Sequence, residues 1–261
     1  MAKKTILISV AILGSALSWL VTHSWIFSEN RFSDINAIIV FALALSLCAA
    51  LISIAWMFLD RWYERGIVIV GSWIAFTILW PSALSLSMIV VIGLLWWSAA
   101  QEVQNDLASR RQIQTRTVLG SPIRLILMAM FLAVSLGFYL SPDTQSAGLK
   151  SVSVGINGQL DHVFKNSLIE DRMSALPVSL QKEFRLDVAQ AIDSTVKQYL
   201  GPVAHYIPSV LALGFFVVLW GFGWVFRQLA LWMATGIFAI LKRTGFIKIV
   251  TYKIDAEKVE I

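Results

Sequence analysis

The sequence is poor in cysteine, in histidine and above all in charge. Its one cysteine, Cys48, excludes an internal disulfide and a cysteine-based metal cluster. Only 14% of the residues are charged, and the stretches 5–27, 35–59, 67–100, 125–141 and 206–226 contain no Asp, Glu, Lys or Arg. A water-soluble domain needs polar outer faces on its helices and strands, whereas a bilayer asks for about 20 apolar residues per helical crossing. The missing charge therefore excludes an ordinary soluble globule. A hydrophobic fraction of 57% and a mean hydropathy of +0.73 make lipid the main solvent of the chain. HExxH, a glycine-rich phosphate loop and GxSxG are also absent, which removes the common local signatures of enzymes.

What charge there is collects between the apolar runs. The net charge of +5 suits loops facing anionic lipid better than a nucleic-acid surface, because the bases are dispersed among membrane segments. The fold class expected is all-α: a polytopic membrane protein of about six transmembrane helices with a small extracytoplasmic helical hairpin. The first five spans fall at about 5–27, 35–59, 62–80, 82–100 and 124–141, and the last at 206–226. The run 67–100 is divided because one helix over it would measure about 50 Å against a hydrocarbon core of about 30 Å. Trp80-Pro81-Ser82 supplies the break, since proline lacks an amide donor and restricts the residue before it. The apolar stretch continues to Phe27, which favours an uncleaved anchor over a signal peptide.

The positive residues set the orientation. With both termini cytoplasmic, Lys3, Lys4, Arg61, Arg65, Arg110, Arg111, Arg116 and Arg124 face inward, and the short outer loops hold only Arg31. Trp25, Trp80, Tyr139 and Tyr206 then mark the outer boundary, while Trp56, Trp62, Trp96, Trp97 and Trp224 mark the inner one. Trp19 and Trp73 lie deeper and read as packing residues. Small residues spaced four apart, as Gly14 and Ser18 or Ala44 and Cys48, allow close helix approach. This arrangement makes the inner (cytoplasmic) membrane the expected location, with 141–205 exported.

The exported segment is nearly neutral. Leu160, Val163, Phe164 and Leu168 recur at helical intervals, and a second helix from about 179 to 200 carries the apolar stripe Phe184, Val188, Ile192 and Tyr199. Two short helices bury little core alone. They are expected to lean on a membrane surface, a second copy or an envelope partner, which makes the stripe the candidate partner-binding site.

On the cytoplasmic side, Arg110, Arg111, Arg116 and Arg124 are candidate lipid-phosphate contacts, although charge that simply sets topology needs no specific ligand. Arg227 is expected near the inner end of the last span, snorkelling to the headgroups. After it, 227–261 reads as an interfacial helix and tail, because a second crossing would export Lys242, Arg243, Lys248, Lys253 and Lys258.

Residues 213–261, with Trp220-Gly221-Phe222, Arg227-Gln228-Leu229-Ala230 and Thr244-Gly245-Phe246-Ile247-Lys248, resemble the tail of uncharacterised bacterial multi-pass membrane proteins. The resemblance covers under a fifth of the chain. It implies an envelope membrane protein and no particular chemistry.

Function is weakly specified by these residues. No Asp, Glu, Lys or Arg falls inside the charge-free runs, where a transporter would hold a substrate or coupling ion. A pore lined by Ser9, Ser15, Ser18, Thr22, Ser46 and Ser53 is the alternative. His23 and His205 fall near one boundary and with Glu29 form the only imaginable metal or pH-sensing group, without ligand spacing to support it. The reading that follows is a non-enzymatic scaffold without cofactor. Its partners are the bilayer, with anionic lipid at the inner face, and a homo-oligomer or envelope protein. A small-solute channel or transporter is the rival.

Overall fold

A computed structural model describes residues 2–28, 31–109, 115–146 and 206–247. The described residues form an all-α polytopic membrane protein. Its helices are α1 (Ala2–Ile26), α2 (Ile35–Phe58), α3 (Trp62–Leu79), α4 (Ala83–Ser109), α5 (Thr115–Leu140), α6 (Ile207–Gly221) and α7 (Gly223–Arg243). Helices suit this sequence because in hydrocarbon every backbone amide and carbonyl must find its partner inside the segment. Two compact units are present, one of Met1–Trp25, Asn30–Met130 and Phe222–Ile261, the other of Ile26–Glu29 and Phe131–Gly221.

The helix ends follow local chemistry. Asp34 caps α2, its carboxylate accepting from the Asn36 amide at 2.9 Å. α3 stops at Leu79, before Pro81, and the turn to α4 is closed by two serines. Ser82 Oγ accepts from the Ser85 amide at 3.0 Å, and Ser85 Oγ donates to the Trp80 carbonyl at 2.6 Å.

Within the first unit, contacts fix the direction of each helix. Lys4 on α1 pairs with Asp60 at 2.9 Å and Glu64 at 3.3 Å, so the start of α1 meets the α2–α3 turn. At the other end of α1, the His23 ring lies 5.2 Å from that of Trp80. α3 therefore runs beside α1 along its whole length and in the same direction. α2 returns antiparallel, with Ser18 Oγ donating to the Ala44 carbonyl at 2.7 Å. α4 follows α2, since Gln104 Nε2 donates to the Trp56 carbonyl at 2.7 Å near the end of both. Small residues make the α1–α2 approach possible: a Cβ on Gly14 would stand 2.5 Å from Leu51 Cδ1, and Ala44 and Cys48 are small on the facing helix. Ala83 and Ser87, also small and four apart, are exposed.

Five described helices are long and apolar enough to cross a membrane: α1, α2, α4, α5 and α7. α3 falls short by composition, with Glu64 and Arg65 in its first turn, and packs beside α1 from Lys4 to His23. Towards the end of the chain the helices divide differently from the expected span. Sequence reading places the last span at 206–226, whereas the structure breaks the chain at Phe222. This leaves α6 with 15 residues and lets α7 run for 21 residues through Arg227.

Two glycines explain the position of that break. Gly221 and Gly223 flank Phe222, and glycine is the poorest helix former after proline. Lys3 Nζ donates to the Phe246 carbonyl at 2.9 Å, so the end of α7 and the start of α1 share one end of the bundle. α7 earns its place beside α2 through packing: Phe226, Ala230, Leu231 and Ala234 are buried, and the Phe58 and Phe238 rings stack with centroids 6.3 Å apart.

In the second unit, α6 carries Phe215 against Phe138 of α5, centroids 4.8 Å apart. Ser141 closes the end of α5 by donating to the Phe138 carbonyl at 2.8 Å. The expected exported helices over 141–205 lie, beyond 146, outside the described residues.

Candidate functional site

The middle of the first unit is filled by aromatic rings. Trp80 touches Phe76 (centroids 4.8 Å apart) and Phe76 touches Trp19 (5.0 Å). Trp19 touches Trp73 (5.6 Å), Trp73 touches Trp96 (5.1 Å), and Trp96 touches Trp56 (6.0 Å). All six are buried, and the separations are those of favourable offset and edge contacts. The column links α1, α2, α3 and α4 from one end of the bundle towards the other. Trp19 and Trp73 are thus core residues. The Trp96 indole donates to the Ile126 carbonyl at 3.4 Å, while those of Trp19, Trp56, Trp73 and Trp80 are buried without an acceptor among the described residues.

The hydroxyls considered for a pore are mostly bound to backbone. Ser18 donates to Ala44, Thr22 to the Ser18 carbonyl at 2.8 Å, Ser46 to the Phe226 carbonyl at 3.3 Å and Ser53 to the Ala49 carbonyl at 2.6 Å. The Ser18 and Ser46 bonds join neighbouring helices, and those of Thr22 and Ser53 close on their own helix. Ser9 is exposed on α1. Ser15 and Ser72 are fully buried with no hydrogen-bond partner among the described residues.

Two arginines enter the bundle. Arg65 is 6% exposed; Nη1 donates to the Ala100 carbonyl at 3.4 Å and Nη2 to the Asp60 carbonyl at 3.5 Å, joining the α2–α3 turn to α4. Its guanidinium carbon stands 6.0 Å over the Trp97 ring. Arg227 follows Phe226, whose carbonyl is held by Ser46 half-way along α2, so its backbone starts at mid-bundle and not near one end. The guanidinium lies against α5, where a Cβ on Gly120 would stand 3.2 Å from Nη2. A side chain at 120 would press on the guanidinium, which would have to shift by a few tenths of an ångström. Arg227 Nε is buried without a partner among the described residues, which is costly in a medium of low dielectric.

One end of the bundle gathers exposed charge. Lys4 bridges Asp60 and Glu64, Lys3 reaches Phe246, and α7 ends on Lys242 and Arg243, where bases suit the negative end of the helix dipole. Arg61 is uncommitted to either carboxylate and donates instead to the Tyr63 hydroxyl. The hydrogen bond to that hydroxyl, with the nearby Glu64 and Asp60, holds the Arg61 pKa above its ordinary value, so it is a cation throughout the physiological range.

Arg116 and Arg124, the expected phosphate contacts, stand exposed in the first half of α5, two turns apart. Arg110, Arg111 and the stripe of Phe184, Val188, Ile192 and Tyr199 lie outside the described residues, as do His205 and Glu29. His23 packs on Trp80, and among the described residues no group of three His, Cys, Asp or Glu could hold a metal. Sequence reading missed the pairing of Arg227 with Gly120 and the buried position of Arg65. A contact between α5 and α7 leaves no local trace in either segment.

Comparison with protein-family models, curated proteins and solved structures found no match to this chain. The resemblance over 213–261 therefore rests on its quoted residues alone.

Proposed function

We propose that this protein is a non-enzymatic membrane scaffold whose bundle anchors the segment 141–205 for contact with a protein partner. The observation that supports the reading is the aromatic column from Trp80 to Trp56. It fills the bundle with rings in mutual contact, as a rigid anchor requires. The location that fits is the inner membrane with both termini cytoplasmic. Lys3, Lys4, Arg61, Lys242 and Arg243 gather at the end of the bundle shared by the start of α1 and the end of α7. On this reading 141–205 faces the opposite side, and Phe184, Val188, Ile192 and Tyr199 form its contact stripe.

The test is cross-linking of the full chain in its native membrane. Phe184→Asp with Ile192→Asp should abolish cross-linked species while leaving membrane insertion intact; an unchanged cross-linking pattern and oligomer size would count against the scaffold. A second reading, a channel or transporter for a small solute, draws on the buried, unpartnered hydroxyls of Ser15 and Ser72. Solute flux in proteoliposomes, lost on Ser15→Ala and Ser72→Ala, would put this reading first.

A further inference from the structure

We propose that the groove between α1 and α3 binds one anionic phospholipid, its acyl chain lying along α3 and its phosphate held by Arg61 and Tyr63. The groove has a volume of about 420 Å³ and is lined by Trp62, Gly66, Val70 and Ile74 of α3, with Ile12 of α1 as its floor. Its shape comes from two glycines. At Gly66 a Cβ would meet nothing within 4 Å, whereas at Gly71 it would meet Ile12 Cδ1 at 2.6 Å, so α1 closes the back of a channel that is open in front.

Length and charge select the occupant. From Trp62 to Ile74 the helix rises about 18 Å, against about 15 Å for half the hydrocarbon core. The groove thus reaches from the interface to the mid-plane, the depth of one leaflet. A helix from another protein would need a track that continues across both leaflets. Trp62 and Tyr63 stand at the mouth, at the level where amphipathic rings prefer the headgroups.

The polar end supplies donors and, in Arg61, a guanidinium that no carboxylate hydrogen-bonds among the described residues, while Lys4 and Arg61 together balance Asp60 and Glu64. Asp60 and Glu64 both accept from Lys4, which leaves the Arg61 guanidinium with the Tyr63 hydroxyl alone among the described residues. That hydroxyl accepts from Arg61 and keeps its own O–H to donate. A phosphate diester offers the acceptor oxygens and the negative charge that this pair lacks. The inference does not depend on the scaffold reading, since a transporter would carry the same groove.

The experiment is native mass spectrometry of the purified full chain, released from micelles containing phosphatidylglycerol or phosphatidylcholine of equal acyl composition. The wild type should retain one phosphatidylglycerol in preference. Arg61→Ala should reduce that preference roughly fivefold, the factor that one basic side chain contributes near an anionic surface. Gly66→Leu fills the groove and should diminish retention of both lipids. Val70→Trp is a second filling variant on an exposed position, and thermal unfolding shows that each variant is folded. Equal retention of both lipids by the wild type would overturn the proposal, as would retention that neither groove filling nor Arg61→Ala alters. A change of oligomer size on groove filling, without loss of lipid, would assign the groove to a second copy of this chain instead.

Discussion

The Ser46 hydroxyl donates to the Phe226 carbonyl at 3.3 Å, tying the middle of α2 to the first turn of α7. Further along, Phe58 and Phe238 stack with ring planes 11° apart. The spacing from 46 to 58 equals that from 226 to 238, so the two helices run parallel and in step. α7 is thereby committed to the same traverse of the membrane as α2, and Arg227 is carried inside with it.

This register predicts a labelling pattern. Cysteines placed at Asp60 and Thr244 should react with an impermeant maleimide from one membrane face, and cysteines at Phe32 and Pro81 from the other. Cys48 is fully buried and should stay silent until the protein unfolds. Labelling of Thr244→Cys from the Phe32 side would sink the assignment of α7 as a crossing.

Arg227 and Gly120 should behave as one unit. Gly120→Leu would drive a side chain into the guanidinium, and overpacking of this kind costs about 1–3 kcal/mol. In an Arg227→Ala background the same leucine should be nearly neutral. A double-mutant cycle on detergent-solubilised protein measures the coupling; purely additive effects would show that the two residues do not meet.

The aromatic column should carry much of the rigidity of the bundle. Trp73→Ala removes the ring that links Trp19 and Phe76 to Trp96. The expected loss is roughly 3 kcal/mol, the lower end of the usual range for emptying a large aromatic site. Lipid gives no hydration gain on burial, so the cavity and lost contacts account for it. Thermal unfolding in a fixed detergent is the measurement, and Trp62→Ala, on an exposed ring, is the control.

The Lys4 ion pairs should matter little and should respond to salt. Asp60 is well exposed and Lys4 partly so, and such pairs contribute less than about 1 kcal/mol. Lys4→Met should lower stability by at most that amount in dilute buffer, with the difference shrinking in 1 M salt. A large, salt-independent loss would mean that Lys4 acts by packing.

Much of the fold was legible in the chain itself. Charge-free length marks the candidate spans at α1, α2, α4 and α5, and Pro81 marks the turn from α3 to α4 because the missing amide is a local fact. Gly14 and Ser18 also announce a close contact, although only the structure names Ala44 and Leu51 as what they meet. The division of the last apolar run into α6 and α7 was not legible, for an equally physical reason. Arg227 looks like a boundary when only its own segment is considered, since a lone guanidinium in lipid is costly.

Sequence alone settles that these residues prefer lipid to water and that they form helices, because solvation of side chains and closure of backbone hydrogen bonds are decided residue by residue. Which helices touch is another matter. The choice of α7 over 206–226, the shelter of Arg227 above Gly120 and the groove beside Arg61 all depend on surfaces brought together from distant parts of the chain, and their energies exist only once those surfaces meet.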